Sequence, residues 1–447
     1  MDSRDGSKTA EDKAGQAAEQ SASDKHGLVS AADHPDRQTF VRLNAVYFFK
    51  WLLLGSLVGA AGGLIGGGFA NLIEFFTAYY RAHSYMMGIL PFSGLLIVFL
   101  YEKFHEFNNS GTNMVITAIH NNERIHRRNG FLIFGATILS HMGGASVGKE
   151  GAALQIGGCL GTFFGEIFHL DRYDKNIMIM CGMAGVFSAV FGTPIGAAIF
   201  PIEMISVGVM YYTALYPCLL ASIAGTYFAK LLGAPADIFQ IRVTISDIAP
   251  VYILIAAVFG ALCALLCIFF TKALGMSGKL YQKYIPNPYV RVVFGAGLYT
   301  LLILIFGKTY SNSGMNLIHS AIYDTVPLEA FLLKMLFTCV ALGAGYKGGE
   351  IVPTLTIGCC FGYLLNTVIG LDPHFGAALG MIGLFAGMTN CPISSVFLGI
   401  EMFGADGAVY FAIVVFLAYA LSGYMGLYKA QTFMYAKTKA KYINRKA

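Results

Sequence analysis

Three segments of this chain occur twice, in the same order. NNSGTNMVITAI (Asn108–Ile119) returns as SNSGMNLIHSAI (Ser311–Ile322), GKEGAALQIGGCLG (Gly148–Gly161) as GGEIVPTLTIGCCFG (Gly348–Gly362), and TPIGAAIFPIEM (Thr193–Met204) as CPISSVFLGIEM (Cys391–Met402). Gly111 and Gly314 stand 203 residues apart, Glu150 and Glu350 200, Thr193 and Cys391 198. One match of this kind carries little weight, but three in order at nearly constant spacing indicate a duplicated unit.

The solvent in which that unit folds follows from composition. Hydrophobic residues make up 56% of the 447, charged residues only 12%, and 53 are glycine. A soluble domain cannot clothe itself in so few charges, so the chain reads as an all-α polytopic membrane protein. Trp51–Ile73, Val251–Phe270, Ala408–Tyr424 and the run FSGLLIVFL have the apolar length for spanning helices, whereas other apolar runs are too short or too broken by glycine to cross alone.

The first forty residues are polar and lack the apolar core of a secretory signal, which predicts a disordered cytosolic tail over 1–42. A membrane domain then runs over 43–436, its repeats at about 43–232 and 250–428, followed by a basic cytosolic tail at 437–447. Lys and Arg gather at Arg37, Arg42 and Lys50, at Arg124, Arg127 and Arg128, and in KTKAKYINRK, so both termini are expected in the cytosol. The net charge of +5 is absorbed by this topology and gives no reason to expect nucleic acid. Nine cysteines sit singly or adjacent in apolar stretches with no CxxC pair and no histidine at metal spacing, which predicts small buried hydrophobes and no metal site; no cofactor motif is present.

Duplicated halves with interrupted apolar segments are a transporter pattern, in which broken helices aim their ends at a substrate near the midplane. SGTN, GKEG and GGEI cluster glycine with polar residues, as turns entering helices do, and the exposed N–H groups there bind anions. Irregular backbone survives within a bilayer only when buried or lining a cavity. The expected substrate is therefore an anion.

Glu150 lies in the membrane domain, where an ionisable side chain is costly and marks a functional site by default. Ionised, a carboxylate at an anion-binding helix start can fill the anion's own place; protonated, it can leave. Glu150 is thus expected to act as a proton-coupled gate, with Lys149 at the membrane interface or in an entry funnel. Glu350 reads equally as a helix-capping carboxylate or a proton-handling group. Glu203 and Glu401, at matched positions, are expected to bond loop backbone. His120, His141 and His319 read as packing or interfacial residues. Tyr428 is either an aromatic-belt residue or a phenol that donates to the anion.

These residues resemble the CLC superfamily of anion channels and proton-coupled anion antiporters. GKEGA at Gly148–Ala152 resembles that family's G(K/R)EGP, GGEIVP at Gly348–Pro353 its GxFxP, and SGTN at Ser110–Asn113 stands where GSGIP is usual. The resemblance runs from about Leu43 to Tyr428. It implies an inverted-repeat fold with broken helices meeting at the midplane, a homodimer with one pore per subunit, and anions held at helix N-termini. By matched position it implies a gating role for Glu150, the pore hydroxyl position for Thr112, the pore tyrosine for Tyr428, and backbone amides facing the ion at Gly151, Glu350 and Ile351.

Four departures bear on the substrate. Thr112-Asn113 replaces serine-glycine, Ala152 replaces the proline of GKEGP, Glu350-Ile351-Val352 stands within GxFxP, and Met204 occupies the place of the internal proton acceptor. Together they resemble the fluoride-exporting subclass of CLC antiporters. Fluoride is small and a strong acceptor, so Thr112, Asn113 and a protonated Glu350 would serve as added donors. The implied activity is fluoride/proton antiport in a bacterial plasma membrane. A chloride channel or chloride/proton antiporter is the nearest rival; an intramembrane enzyme is weakened by the lack of GxSxG, HExxH or a Cys/His arrangement.

Overall fold

The structure is a computed structural model that describes residues 37–106, 110–121, 123–241 and 250–446. Asn108 and Asn109 of the first repeated segment, and residues 1–36 of the expected N-terminal tail, lie outside the described residues. Residues 37–42, assigned to that tail from sequence, are instead helical. Two compact units are distinguished: Met1–Lys50, described from residue 37, and Trp51–Ala447, which holds every feature considered below except the start of the first helix.

The described residues form sixteen α-helices, and seven helical segments are long and apolar enough to cross a membrane. α1 (Arg37–Ala82), α2 (Leu90–Lys103), α3 (Thr112–Asn121), α4 (Arg127–Met142), α5 (Glu150–Ile167), α6 (Arg172–Phe191), α7 (Pro194–Met204) and α8 (Leu215–Leu231) belong to the first half. The second half holds α9 (Pro250–Tyr284), α10 (Pro288–Phe306), α11 (Met315–Tyr323), α12 (Ala330–Ala344), α13 (Ile351–Ile369), α14 (Pro373–Thr389), α15 (Pro392–Phe403) and α16 (Ala408–Leu421). The apolar run expected to span from Ala408 to Tyr424 yields only the 14 residues of α16, which is not among the seven.

Local sequence explains the breaks. Gly192, left-handed at φ 79°, ends α6, and Thr193-Pro194 opens α7; Asn390, left-handed at φ 59°, ends α14, and Cys391-Pro392 opens α15. A left-handed residue closes the last turn, and the residue before a proline is held out of the helical region while proline itself suits the first helical position. The bends therefore recur 198 residues apart because their residue types recur.

The two halves clasp each other through carboxylates. Glu203, near the end of α7, accepts from the backbone N–H of Ile393 (2.9 Å) and Ser394 (2.8 Å) at the start of α15. Glu401, near the end of α15, accepts from Ile195 (2.8 Å) and Gly196 (2.7 Å) at the start of α7. Each satisfies N–H groups that a helix leaves open at its N-terminus and places a negative charge at the positive end of the dipole. This is the backbone-bonding role expected of both residues.

Glycine lets the inner helices approach at backbone distance. A Cβ on Gly157 would collide with the Gly182 carbonyl of α6, and one on Gly358 with the Gly380 carbonyl of α14. The α5–α6 and α13–α14 packings are thus mates, and all nine cysteines are buried and unpaired as disulfides within this core.

The basic tail expected at 437–447 is tied down. β1 (Ser206–Val207) pairs in parallel with β2 (Thr432–Tyr435), which pairs antiparallel with β3 (Tyr442–Lys446). Between them Lys437 donates to Asn390 Oδ1 (2.6 Å), the Tyr419 carbonyl (2.8 Å) and Ser422 Oγ (3.0 Å).

Candidate anion site

The starts of α5 and α13 meet head to head. Gly148 N–H donates to the Gly349 carbonyl (2.6 Å) and Gly349 N–H to the Gly148 carbonyl (2.7 Å), an antiparallel bridge across the junction of the halves. Side chains would block it: a Cβ on Gly151 would come within 2.8 Å of Gly349 Cα. Two positive helix ends, with their open N–H groups, therefore face one small volume.

The bridge corrects one sequence reading. Glu150 and Glu350 align at an offset of 200, but Gly148 and Gly349 differ by 201 (349 − 148 = 201), as do the first helical residues Glu150 and Ile351 (351 − 150 = 201). Glu350 is the N-cap of α13, and its mate is Lys149, the N-cap of α5. The structural mate of Glu150 is apolar.

Glu150 is fully buried, and neither carboxylate oxygen has a hydrogen-bond partner among the described residues. Its Oε2 lies back over the glycine bridge, 2.9 Å from where a Cβ on Gly148 would stand. Burying a carboxyl group without a partner is costly, which marks Glu150 as a candidate functional group. Tyr428, 2% exposed, likewise has a phenol oxygen with no partner among the described residues, and it lies within electrostatic range of both Glu150 and Glu350.

Thr112 opens α3 beside this volume, where its hydroxyl donates to the Gly151 carbonyl (3.3 Å). Asn113, expected as an anion donor, makes two contacts to backbone. Its Oδ1 accepts from the Ala430 N–H (2.9 Å) and its Nδ2 donates to the Ser110 carbonyl (3.3 Å), so the amide fixes the segment that carries Tyr428. Gln431 extends that anchorage by donating to the carbonyls of Thr389 (2.8 Å) and Met204 (2.9 Å). The structure thus gathers Glu150, Gly151, Thr112, Glu350, Ile351 and Tyr428 around the junction, with Asn113 behind it.

Some participants escaped the sequence reading. Lys149 is buried rather than interfacial, with Nζ 3.6 Å from Oδ2 of buried Asp237, which lies in the link after α8. Lys334 is buried on α12, donating to the carbonyls of Asn312 (2.6 Å) and Tyr310 (3.1 Å). The criterion that singled out Glu150, a charge inside an apolar stretch, applies equally to GAPADIFQI and AFLLKMLF. Arg124 and Arg127 pair with Glu166, and Arg128 with Glu106, so the basic loop is partly neutralised.

The family model described as voltage gated chloride channel matches residues 93–423. The chain belongs to the voltage-gated chloride channel family. Within that family it is 30% identical, over 88% of its length and 88% of the relative's, to a protein of Pseudomonas syringae pv. tomato called a chloride/fluoride channel protein. Its fold matches a crystal structure described as a CLC-type fluoride/proton antiporter with a TM-score of 0.83 at 28% identity, covering 86% of this chain and 98% of that one. A cyanobacterial Cl−/H+ antiporter superposes with a TM-score of 0.72 at 18% identity, a likeness of fold. This family's inverted-repeat architecture, with broken helices meeting in the interior, is the one described above.

Proposed function

We propose that this protein is a secondary active fluoride/proton antiporter of the CLC family, expelling fluoride at the expense of a proton gradient, and not an enzyme. The observation that carries the reading is the fully buried Glu150 carboxyl, without a hydrogen-bond partner among the described residues, at the junction of two helix N-termini. Ionised, it occupies the place that the helix ends prepare for an anion; fluoride displaces it, and the displaced carboxylate takes up a proton. Thr112, Gly151, Glu350, Ile351 and Tyr428 line the anion's place, Asn113 supports it, and Glu350 offers a second proton stop. The names of the relatives support fluoride as the anion and protons as the exchanged ion.

The protein works as a homodimer in a bacterial plasma membrane, surrounded by lipid, with both termini in the cytosol. Long apolar side chains on the outer helix faces, such as Phe92, Val251 and Leu304, supply the lipid contact.

Liposomes containing the purified protein and loaded with fluoride or chloride test the reading, with a halide electrode outside and a pH dye inside. Fluoride efflux well above chloride efflux, with proton uptake that Glu150→Ala removes, is the expected outcome. The relative's name also contains chloride and channel. Equal chloride flux, or fluoride flux without protons, would replace the proposal with that second reading.

A further inference from the structure

Beside the unpartnered carboxyl of Glu150 lies a buried pair of opposite charges. Lys149 and Asp237 are each about 6% exposed, and 3.6 Å separates Nζ from Oδ2, too far for a short hydrogen bond. The Asp237 Oδ2 has no hydrogen-bond partner among the described residues, and Lys149 makes one further contact, to the Val190 carbonyl at 3.4 Å. An ammonium thus lies within electrostatic range of two carboxyl groups, one on the next residue and one on a distant link.

The link is held rigidly. Asp237 N–H donates to the Phe191 carbonyl at the end of α6 (3.0 Å), Phe239 N–H to the Met402 carbonyl on α15 (2.8 Å), and Gln240 N–H to Tyr323 Oη on α11 (2.9 Å). Ala236 packs on Gly192, and Phe239 stacks on Phe403 with centroids 5.7 Å apart. Three helix ends therefore deliver one acid to Lys149.

We propose that Asp237 is a positioning residue for the gate: it holds the Lys149 ammonium as a counter-charge, so that this cation does not lock Glu150 in its ionised form. The inference rests on Glu150 being the gate. With Asp237 ionised, protonation of Glu150 leaves the three groups neutral overall; without Asp237 it leaves a buried, uncompensated cation. Removing Asp237 therefore favours the Glu150 carboxylate, and removing Lys149 leaves two carboxyl groups facing each other and favours its protonation.

The other titratable groups around the three are few. Glu74 on α1 lies within electrostatic range of both Lys149 and Asp237, and His319 on α11 within range of Asp237. His141 on α4 lies within range of Lys149 and of Lys334 on α12, and Tyr428 within range of Glu150. Neither Asp237→Asn nor Lys149→Met changes these, so the two variants isolate the pair.

The test is the pH dependence of fluoride/proton exchange in proteoliposomes. Asp237→Asn should move the profile acidward by roughly one pH unit, and Lys149→Met alkaline by a comparable amount. The double variant should return toward the wild-type profile, and Asp237→Glu should stay near it. A damaged fold lowers the rate without producing shifts of opposite sign. Profiles that do not move, that move the same way for both single variants, or a double variant no closer to wild type than Asp237→Asn, overturn the proposal. Glu150→Gln separates the two ideas: retained pH-dependent exchange there sinks the gate itself, whereas lost exchange with an unmoved Asp237→Asn profile sinks only the role of Asp237.

Discussion

At the start of α5 the first helical residue is Glu150, and at the start of α13 it is Ile351, with the acid of that half, Glu350, standing one residue earlier. Helix geometry turns each successive residue by about 100°, so a shift of one position sends the side chain in a different direction from an otherwise equivalent backbone. At the first position the carboxyl folds over the glycine bridge and has no partner among the described residues; at the N-cap the residue's carbonyl receives the Thr354 hydroxyl (2.8 Å), and its counterpart in the first half is Lys149. Backbone symmetry between the halves is kept at the Gly148–Gly349 bridge and the helix starts, and side-chain symmetry is dropped at the first helical position. On the proposed reading, one half carries the gate and the other its surroundings.

The largest expected effect lies on the gate side. Glu150→Gln should lower coupled proton movement by roughly two orders of magnitude, read from the pH dye under a fluoride gradient, because the side chain can no longer gain and lose a proton. If coupling survives, the difference between the two helix starts has no functional meaning. The clasp residues come next: Glu203→Ala should destabilise the protein by about 2 kcal/mol, since it strands two N–H groups that had a charged acceptor, and thermal unfolding in detergent measures it. Glu401→Ala, at a more exposed clasp, should cost less. Equal costs would show that burial does not distinguish the two clasps.

Glu350→Gln should slow exchange by roughly tenfold, well short of Glu150→Gln, and the ratio of the two measures how unequal the helix starts are. Smallest is Tyr428→Phe. It should weaken fluoride binding roughly fivefold by titration calorimetry and leave the unfolding midpoint unchanged, because no group among the described residues loses a hydrogen bond with the phenol. A lowered midpoint would assign that hydroxyl to the fold instead of the anion.

The sequence made the duplication, the membrane class and the glycine-rich helix starts legible, because these depend on local residue types: Gly192 and Asn390 end helices, Pro194 and Pro392 begin them, and Gly157 and Gly358 admit close neighbours. The register at the helix starts was misread from the glutamates alone: the run that follows already matches at an offset of 201, Leu154 with Leu355, Ile156 with Ile357, Gly157 with Gly358 and Gly161 with Gly362, as the bridge between Gly148 and Gly349 requires. Two contacts were not legible for another reason: Asp237 meets Lys149 and Asn113 meets Ala430 across 88 and 317 residues (237 − 149 = 88; 430 − 113 = 317), and no local pattern encodes a pairing at that range.

The anchorage of Tyr428 has a consequence for how the protein comes into being. Both helix starts are complete once Pro353 has been added, yet the phenol arrives only with the segment that Asn113, Gln431 and Lys437 hold in place. During synthesis the bridge residues Gly148 and Gly349 therefore precede the phenol, which comes 79 residues after Gly349 (428 − 349 = 79). On the proposed reading, the last wall of the anion's place is thereby also among the last parts of the chain to be synthesised.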